Sequence, residues 1–190
     1  MTKWIVIGVI ILFDLIGLGI YKYSSAKVID ELVISVHNKD VAAVSSRIDW
    51  EGLKAQLKTD IAAQKKAYGQ AGVAIGPIDS RIPAVVDHYI KEDGIKTAFY
   101  YREQLFANVP ERDFIDSTGF ALPFGFQVTL AYPKSQAAAN PMAMAMRDRM
   151  KVKVVFGLDG FTWKIREMHV PLYMVPADTG ALPDLRMLGK

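Results

Sequence analysis

The 190-residue chain contains no cysteine, which removes disulfides, thiolate nucleophiles and cysteine-ligated metals at one step. The same absence leaves the compartment open, since chains without thiols occur on both sides of a membrane. Histidine is nearly as scarce. His37, His88 and His169 fall in separate predicted elements, and no two share the i, i+4 or short-loop spacing of a zinc site. The glycine patterns that cradle phosphates, G-x-x-x-x-G-K and G-x-G-x-x-G, are missing, and neither Ser24-Ser25 nor Ser45-Ser46 has the glycines of a nucleophile elbow. Charge of one sign is missing too. The net charge is +3, and beyond Lys3, Lys22, Lys27 and Asp14 there remain 20 basic and 19 acidic groups, interleaved as on a solvated surface. A chain of this balance is expected to bind no nucleic acid, and nothing in it calls for a cofactor.

What is present begins with an apolar run from Trp4 to Tyr21, interrupted by Asp14 and small glycines. As a helix it would extend about 27 Å, close to the hydrocarbon thickness of a bilayer, with Trp4, Tyr21 and Tyr23 as interfacial anchors. The run predicts a single transmembrane helix, with the lipid bilayer contacted through residues 4–21. A cleaved signal peptide competes with this reading, since Ser24-Ser25-Ala26 offers small residues; the run is longer than the 7–15 residues or so of a signal core, and its n-region holds only Lys3. Asp14 near the middle of the span would cost on the order of 3 kcal/mol if ionised in lipid. It is therefore expected to face a membrane-protein partner or to be protonated, unless it is a tolerated defect. Basic groups on the two flanks nearly tie, and the short N-terminus is placed inside, with the domain across the membrane.

Downstream the sequence predicts helices first. Val28 to Val36 form an apolar helix that halts at His37-Asn38-Lys39. Asp40 caps a short helix carrying Val41, Val44 and Ile48. Asp49 caps the clearest one, with Trp50, Leu53, Leu57 and Ile61 on one stripe and Lys54, Lys58, Asp60 and Lys65 outward. A flexible break follows over Gly69–Pro77. Asp79 or Ser80 then caps a helix with Val85, Val86, Tyr89 and Ile90 inward, which Asp93-Gly94 ends, and a last helix runs through Ile95, Phe99, Tyr100 and Phe106 to Pro110.

After Pro110 the period becomes two. Phe126, Val128, Leu130 and Tyr132 share one face of a strand, Val152, Val154 and Phe156 repeat the pattern, and Phe161, Trp163 and Ile165 close it after a turn at Leu158-Asp159-Gly160. The reading is an α+β chain: an N-terminal transmembrane helix, then helices packed on a curved antiparallel sheet. Its divisions are an anchor over 1–27, a domain over 28–172 and an irregular tail over 173–190.

Three stretches carry a resemblance: Lys39-Asp40 with Arg47 through Leu57, Val85 through Ile90 with Gly94-Ile95, and Phe161-Thr162-Trp163-Lys164-Ile165. Together they resemble a bacterial family of membrane-anchored domains of unknown function. The chain departs from its pattern at Lys91-Glu92-Asp93, where members tend to have a Thr-Pro helix start. Helices followed by a sheet ending in an aromatic-Trp-Lys strand are also similar to the cystatin-like and nuclear-transport-factor-like cone folds. The family resemblance implies no activity, and the fold likeness implies an architecture shared by isomerases, binding modules and assembly factors.

Two chemistries are weighed on the residues. Met142, Met144, Met146 and Met150 follow an alanine-rich stretch, and thioethers can hold Cu(I). Met142, Met146 and Met150, at i, i+4 and i+8, also make one helical face, which serves as a soft contact surface without metal. A cone-fold isomerase would need a carboxylate base and a tyrosine or acid donor converging in one cavity, for which Asp87, Tyr89, Tyr100 and Tyr132 are the available groups. The expectation is a membrane-tethered, non-enzymatic interaction or accessory module with an apolar ligand cavity, on the periplasmic side of a bacterial inner membrane; the isomerase-type enzyme is the alternative.

Overall fold

The computed structural model describes residues 2–70, 82–122, 125–138 and 141–175, and within these all side chains except those of 2–18, 20, 82 and 146. Helix α1 (Thr2–His37) runs through residues 27 and 28 without a break. It stops where Lys39 turns into the left-handed region at φ 54° and Asp40 N–H donates to the Ser35 carbonyl at 2.8 Å. Among the described residues no helix is long and apolar enough to cross a membrane. The expected span over 4–21 lies almost wholly outside the described side chains, as does Asp14.

Helices α2 (Val41–Ser46) and α3 (Trp50–Gln70) start at the predicted caps. Ala43 N–H donates to Asp40 Oδ1 at 2.9 Å, and Gly52 N–H to Asp49 Oδ1 at 3.1 Å. Leu53, Leu57 and Ile61 form the buried stripe of α3, packed with Val86 and Leu172. Of the break expected over Gly69–Pro77, Gly69 and Gln70 belong to α3, and the remainder lies outside the described residues with the caps at Asp79 and Ser80.

Helix α4 (Ile82–Tyr89) carries Pro83 in its first turn and buries Val85 and Val86. It ends earlier than the sequence reading placed it. Asp93 and Gly94 open α5 (Glu92–Phe106), where two acids suit the positive helix end, after an extended Lys91. Glycine is needed at 94 for packing: a Cβ there would lie 2.0 Å from the Tyr89 carbonyl oxygen. Gly94→Ala should therefore cost about 1–3 kcal/mol, which chemical denaturation would show as a lower midpoint; an unchanged midpoint would mean the two helices separate freely.

The sheet has four antiparallel strands in the order β1 (Ile115–Ala121), β2 (Gly125–Leu130), β3 (Val152–Asp159), β4 (Thr162–His169). Phe126 pairs with Phe156 and Val128 with Val154, so the predicted inward faces meet, and Val28 of α1 packs on them with Trp163. The sequence reading missed β1. It also misplaced Phe161: Asp159 pairs with Thr162, so the turn is Gly160-Phe161, with Gly160 at φ +60° and Phe161 fully exposed. Strict alternation would next turn Glu167 inward, but a bulge shifts the register between Val155 and Phe156, opposite Arg166, and brings Met168 against Val154 instead. Tyr132, expected to continue the β2 face, lies past the strand end.

Strand β4 is an edge, and its backbone is satisfied locally. Ile165 exchanges hydrogen bonds with Arg47 and Asp49, 2.7 and 3.0 Å long. From α3, Gln56 Oε1 accepts from Met168 N–H at 3.0 Å, and Gln64 accepts from Leu172 N–H while donating to the Val170 carbonyl. A short helix α6 (Lys134–Ala137) leads to α7 (Pro141–Arg149). On α7, Ala143 and Arg147 are buried; of the methionines expected as a soft contact surface, Met142 is exposed, as is the neighbouring Met144, and Met150 is half-buried beyond the helix end. The side chain of Met146 lies outside the described residues.

Candidate functional site

Helix α1 crosses the sheet with Ile29, Leu32, Val33 and Val36 on its inner side, and α5 runs near its C-terminal half with Ala98, Phe99 and Arg102 inward. The strand side chains below are Val128 and Leu130, Val154 and Phe156, and Ile165. Between the layers is a cavity of about 450 Å³, within the range of roughly 300–1,000 Å³ that small-molecule pockets occupy. Its walls are aliphatic and aromatic.

One end is polar. Arg102 reaches this end from the inward side of α5, three residues after Phe99 and seven after Ile95. Its Nη2 donates to the Val109 carbonyl at 3.0 Å and to the Glu111 carboxylate, which His37 Nδ1 approaches to 3.2 Å. Among the described side chains, Arg102 Nε is a buried nitrogen without a hydrogen-bond acceptor. Burial pushes the Glu111 carboxyl up, but its own backbone N–H, the His37 ring and Arg102 together hold it below the usual carboxylate range. The cluster therefore keeps an ionised acid beside a guanidinium at the rim of an apolar chamber.

Sequence reasoning did not single out Arg102 and Glu111. The available signal was an arginine at i+3 and i+7 on the apolar side of α5, where a charge needs a reason. Glu111 gave none, because it precedes β1 in a 3-10 turn over Glu111–Phe114.

The groups weighed for isomerase chemistry are not brought together here. Asp87 is exposed and bridged to Lys58 at 2.8 Å. Tyr100 is exposed, its ring set against Tyr101 at 5.4 Å, and the Tyr132 hydroxyl donates to Gln136 Oε1 at 2.8 Å. Neither these nor Tyr89 line the cavity.

The histidines are scattered as their spacing implied. His88 is exposed with its ring edge-on to Tyr89, and His169 lies 3.3 Å from Asp60 and 3.3 Å from Glu167 in an open hollow beside α3. Among the described residues no group of three or more His, Asp or Glu could hold a metal ion. Met142, Met144 and Met150 are away from the cavity. No protein-family model, no curated protein and no solved structure matches the chain.

Proposed function

We propose that the chain is a membrane-tethered, non-enzymatic binding module whose domain holds an apolar ligand between α1, α5 and the sheet. The cavity is the observation that carries this reading: a folded domain normally closes such space, since interiors pack to the density of organic crystals. Its lining suits hydrocarbon, and the Arg102 N–H with no protein acceptor suits a ligand bearing one polar end. The isomerase alternative needs a base and donor facing the ligand. The four groups named for it lie elsewhere, and the polar pair that is present is already committed to an ion pair.

The tether is the apolar sequence Trp4–Tyr21, which belongs to the same helix that roofs the cavity. A ligand site that begins at Ile29, about 12 Å along the helix from Tyr21, is well placed to exchange apolar molecules with lipid. The domain is assigned to the periplasmic side of a bacterial inner membrane, as an uncleaved signal anchor would put it. The test is native mass spectrometry of the full chain released from membranes in mild detergent. One apolar molecule per chain is expected, absent from Leu32→Trp, whose added ring would occupy the chamber. A chain that carries no ligand, or that alkaline buffer strips from membranes, contradicts the binding or the tether respectively.

A further inference from the structure

The β1–β2 and β3–β4 turns lie at the same end of the sheet, because Ala121 pairs with Gly125, Gly125 with Gly157, and Asp159 with Thr162. Helix α1 leaves the sheet at this end. Tyr21 donates its hydroxyl proton to the Gly125 carbonyl and stacks on Phe120 with ring centres 4.5 Å apart. Ser24 accepts from Trp163 Nε1 at 2.7 Å. Two residues before Tyr21, a Cβ added at the exposed Gly19 would meet nothing within 4 Å. That face of the helix is uncovered at Gly19, and the helix continues from there through the apolar sequence 4–18.

The β3–β4 turn has the Asp159-Gly160 of an ordinary turn, yet both tips carry exposed apolar side chains. Phe161 is fully exposed and Leu122 is 93% exposed, with Phe120 at 56% and Leu158 at 42% beside them. Single exposed hydrophobics are ordinary. Four at the two neighbouring turns, all at the exit of one helix, form a patch. Its rim carries Lys22, Lys164 bridged to Asp159 at 2.7 Å, and Arg166, which donates to the Leu158 carbonyl at 2.7 Å. Apolar and aromatic tips within a basic rim are suited to the headgroup region of an anionic bilayer.

We propose that Leu122 and Phe161 seat both hairpin tips in the interfacial layer of the bilayer that holds residues 4–21, fixing the domain against the membrane. This rests on the tether reading, and the position of Tyr21 carries it further: the residue that ends the apolar run is the one that stacks on a tip. An unbroken helix transmits the depth of the span to the tips without a hinge.

The absence of cysteine makes the test direct. Full-length Leu122→Cys, Phe161→Cys and Asn38→Cys, the last at the far end of α1, are labelled with a nitrobenzoxadiazole dye in vesicles of phosphatidylcholine and phosphatidylglycerol. Flotation of the vesicles reports the tether, and quenching by lipids spin-labelled near the headgroup reports the tips. The expected result is co-flotation with quenching at 122 and 161 several-fold stronger than at 38. A chain that does not float overturns both the tether and the docking. Co-flotation with iodide quenching at 122 and 161 as strong as at 38 overturns docking alone. Shielding from iodide without lipid quenching does so as well, and assigns the patch to a protein surface. Each tip reports separately, so a variant that fails to fold at one leaves the other decisive.

Discussion

Trp163→Ala is expected to lower the stability of the domain by about 3–5 kcal/mol, a fall of roughly 6–20 °C in melting temperature for a chain of this size. Trp163 is 3% exposed and stands edge-on to Phe126 at 5.0 Å and to Tyr21 at 5.5 Å. Truncation opens a cavity at the point where α1, β2 and β4 meet. It also removes the indole N–H whose hydrogen bond Ser24 accepts, one of the polar fastenings between α1 and the sheet. Trp163→Phe keeps most of the volume and loses the hydrogen bond, so it should fall between the two. A melting curve unchanged by Trp163→Ala would mean that α1 does not rest on β4 as described.

Asp116→Asn is expected to cost a further large amount, about 3–5 kcal/mol, because it strands a buried cation. Arg147 is 7% exposed; its guanidinium donates to the Tyr132 carbonyl and to Asp116 Oδ1 at 2.6 Å, while Lys151 Nζ lies 3.1 Å from Oδ2. The Lys151 ammonium, then the Arg147 guanidinium, hold the Asp116 carboxyl below the usual carboxylate range. A carboxyl with a lowered folded pKa adds stability above its unfolded pKa and loses it as pH falls through the folded value. The gap between wild type and Asp116→Asn should therefore be constant down to about pH 4 and shrink below it. Denaturant titrations across pH 2–7 or so check this range; a gap that instead narrowed between neutral pH and pH 5, well above the carboxylate range, would assign the effect to another group.

The same ion pair explains why two elements were hard to read from sequence. Strand β1 is Ile-Asp-Ser-Thr-Gly-Phe-Ala, and its middle is exposed, so it shows no apolar alternation. The register shift between Ile115 and Ser117 leaves Asp116 out of the ladder, where its side chain meets Arg147. Helix α7 buries Ala143 and the Arg147 that meets Asp116, a contact that apolar periodicity cannot anticipate. By contrast, Asp40, Asp49 and the Leu53, Leu57, Ile61 stripe were legible, because caps and helical stripes are local properties of the chain. The inward strand residues Phe126, Val128, Val154, Phe156 and Trp163 were legible for the same reason. The bulge opposite Arg166 and the turn at Gly160-Phe161 were not, since both are set by pairing across the sheet.

The cavity divides in the same way. Its walls were predictable as apolar faces, but the space between them depends on the distance at which α1 and α5 cross the strands. Arg102 and Glu111 come together from α5 and the turn before β1, a contact no spacing in the sequence encodes.

The most direct measurement of the proposed function is a titration of the full chain in nanodiscs with a naphthylamine dye, against empty nanodiscs as baseline. The account predicts saturable binding of one dye per chain that competes with the extracted ligand and weakens about tenfold or more in Leu32→Trp, equivalent to about 1.4 kcal/mol, while circular dichroism of that variant stays that of the wild type. Dye binding that is identical in the wild type and in a folded Leu32→Trp would contradict it.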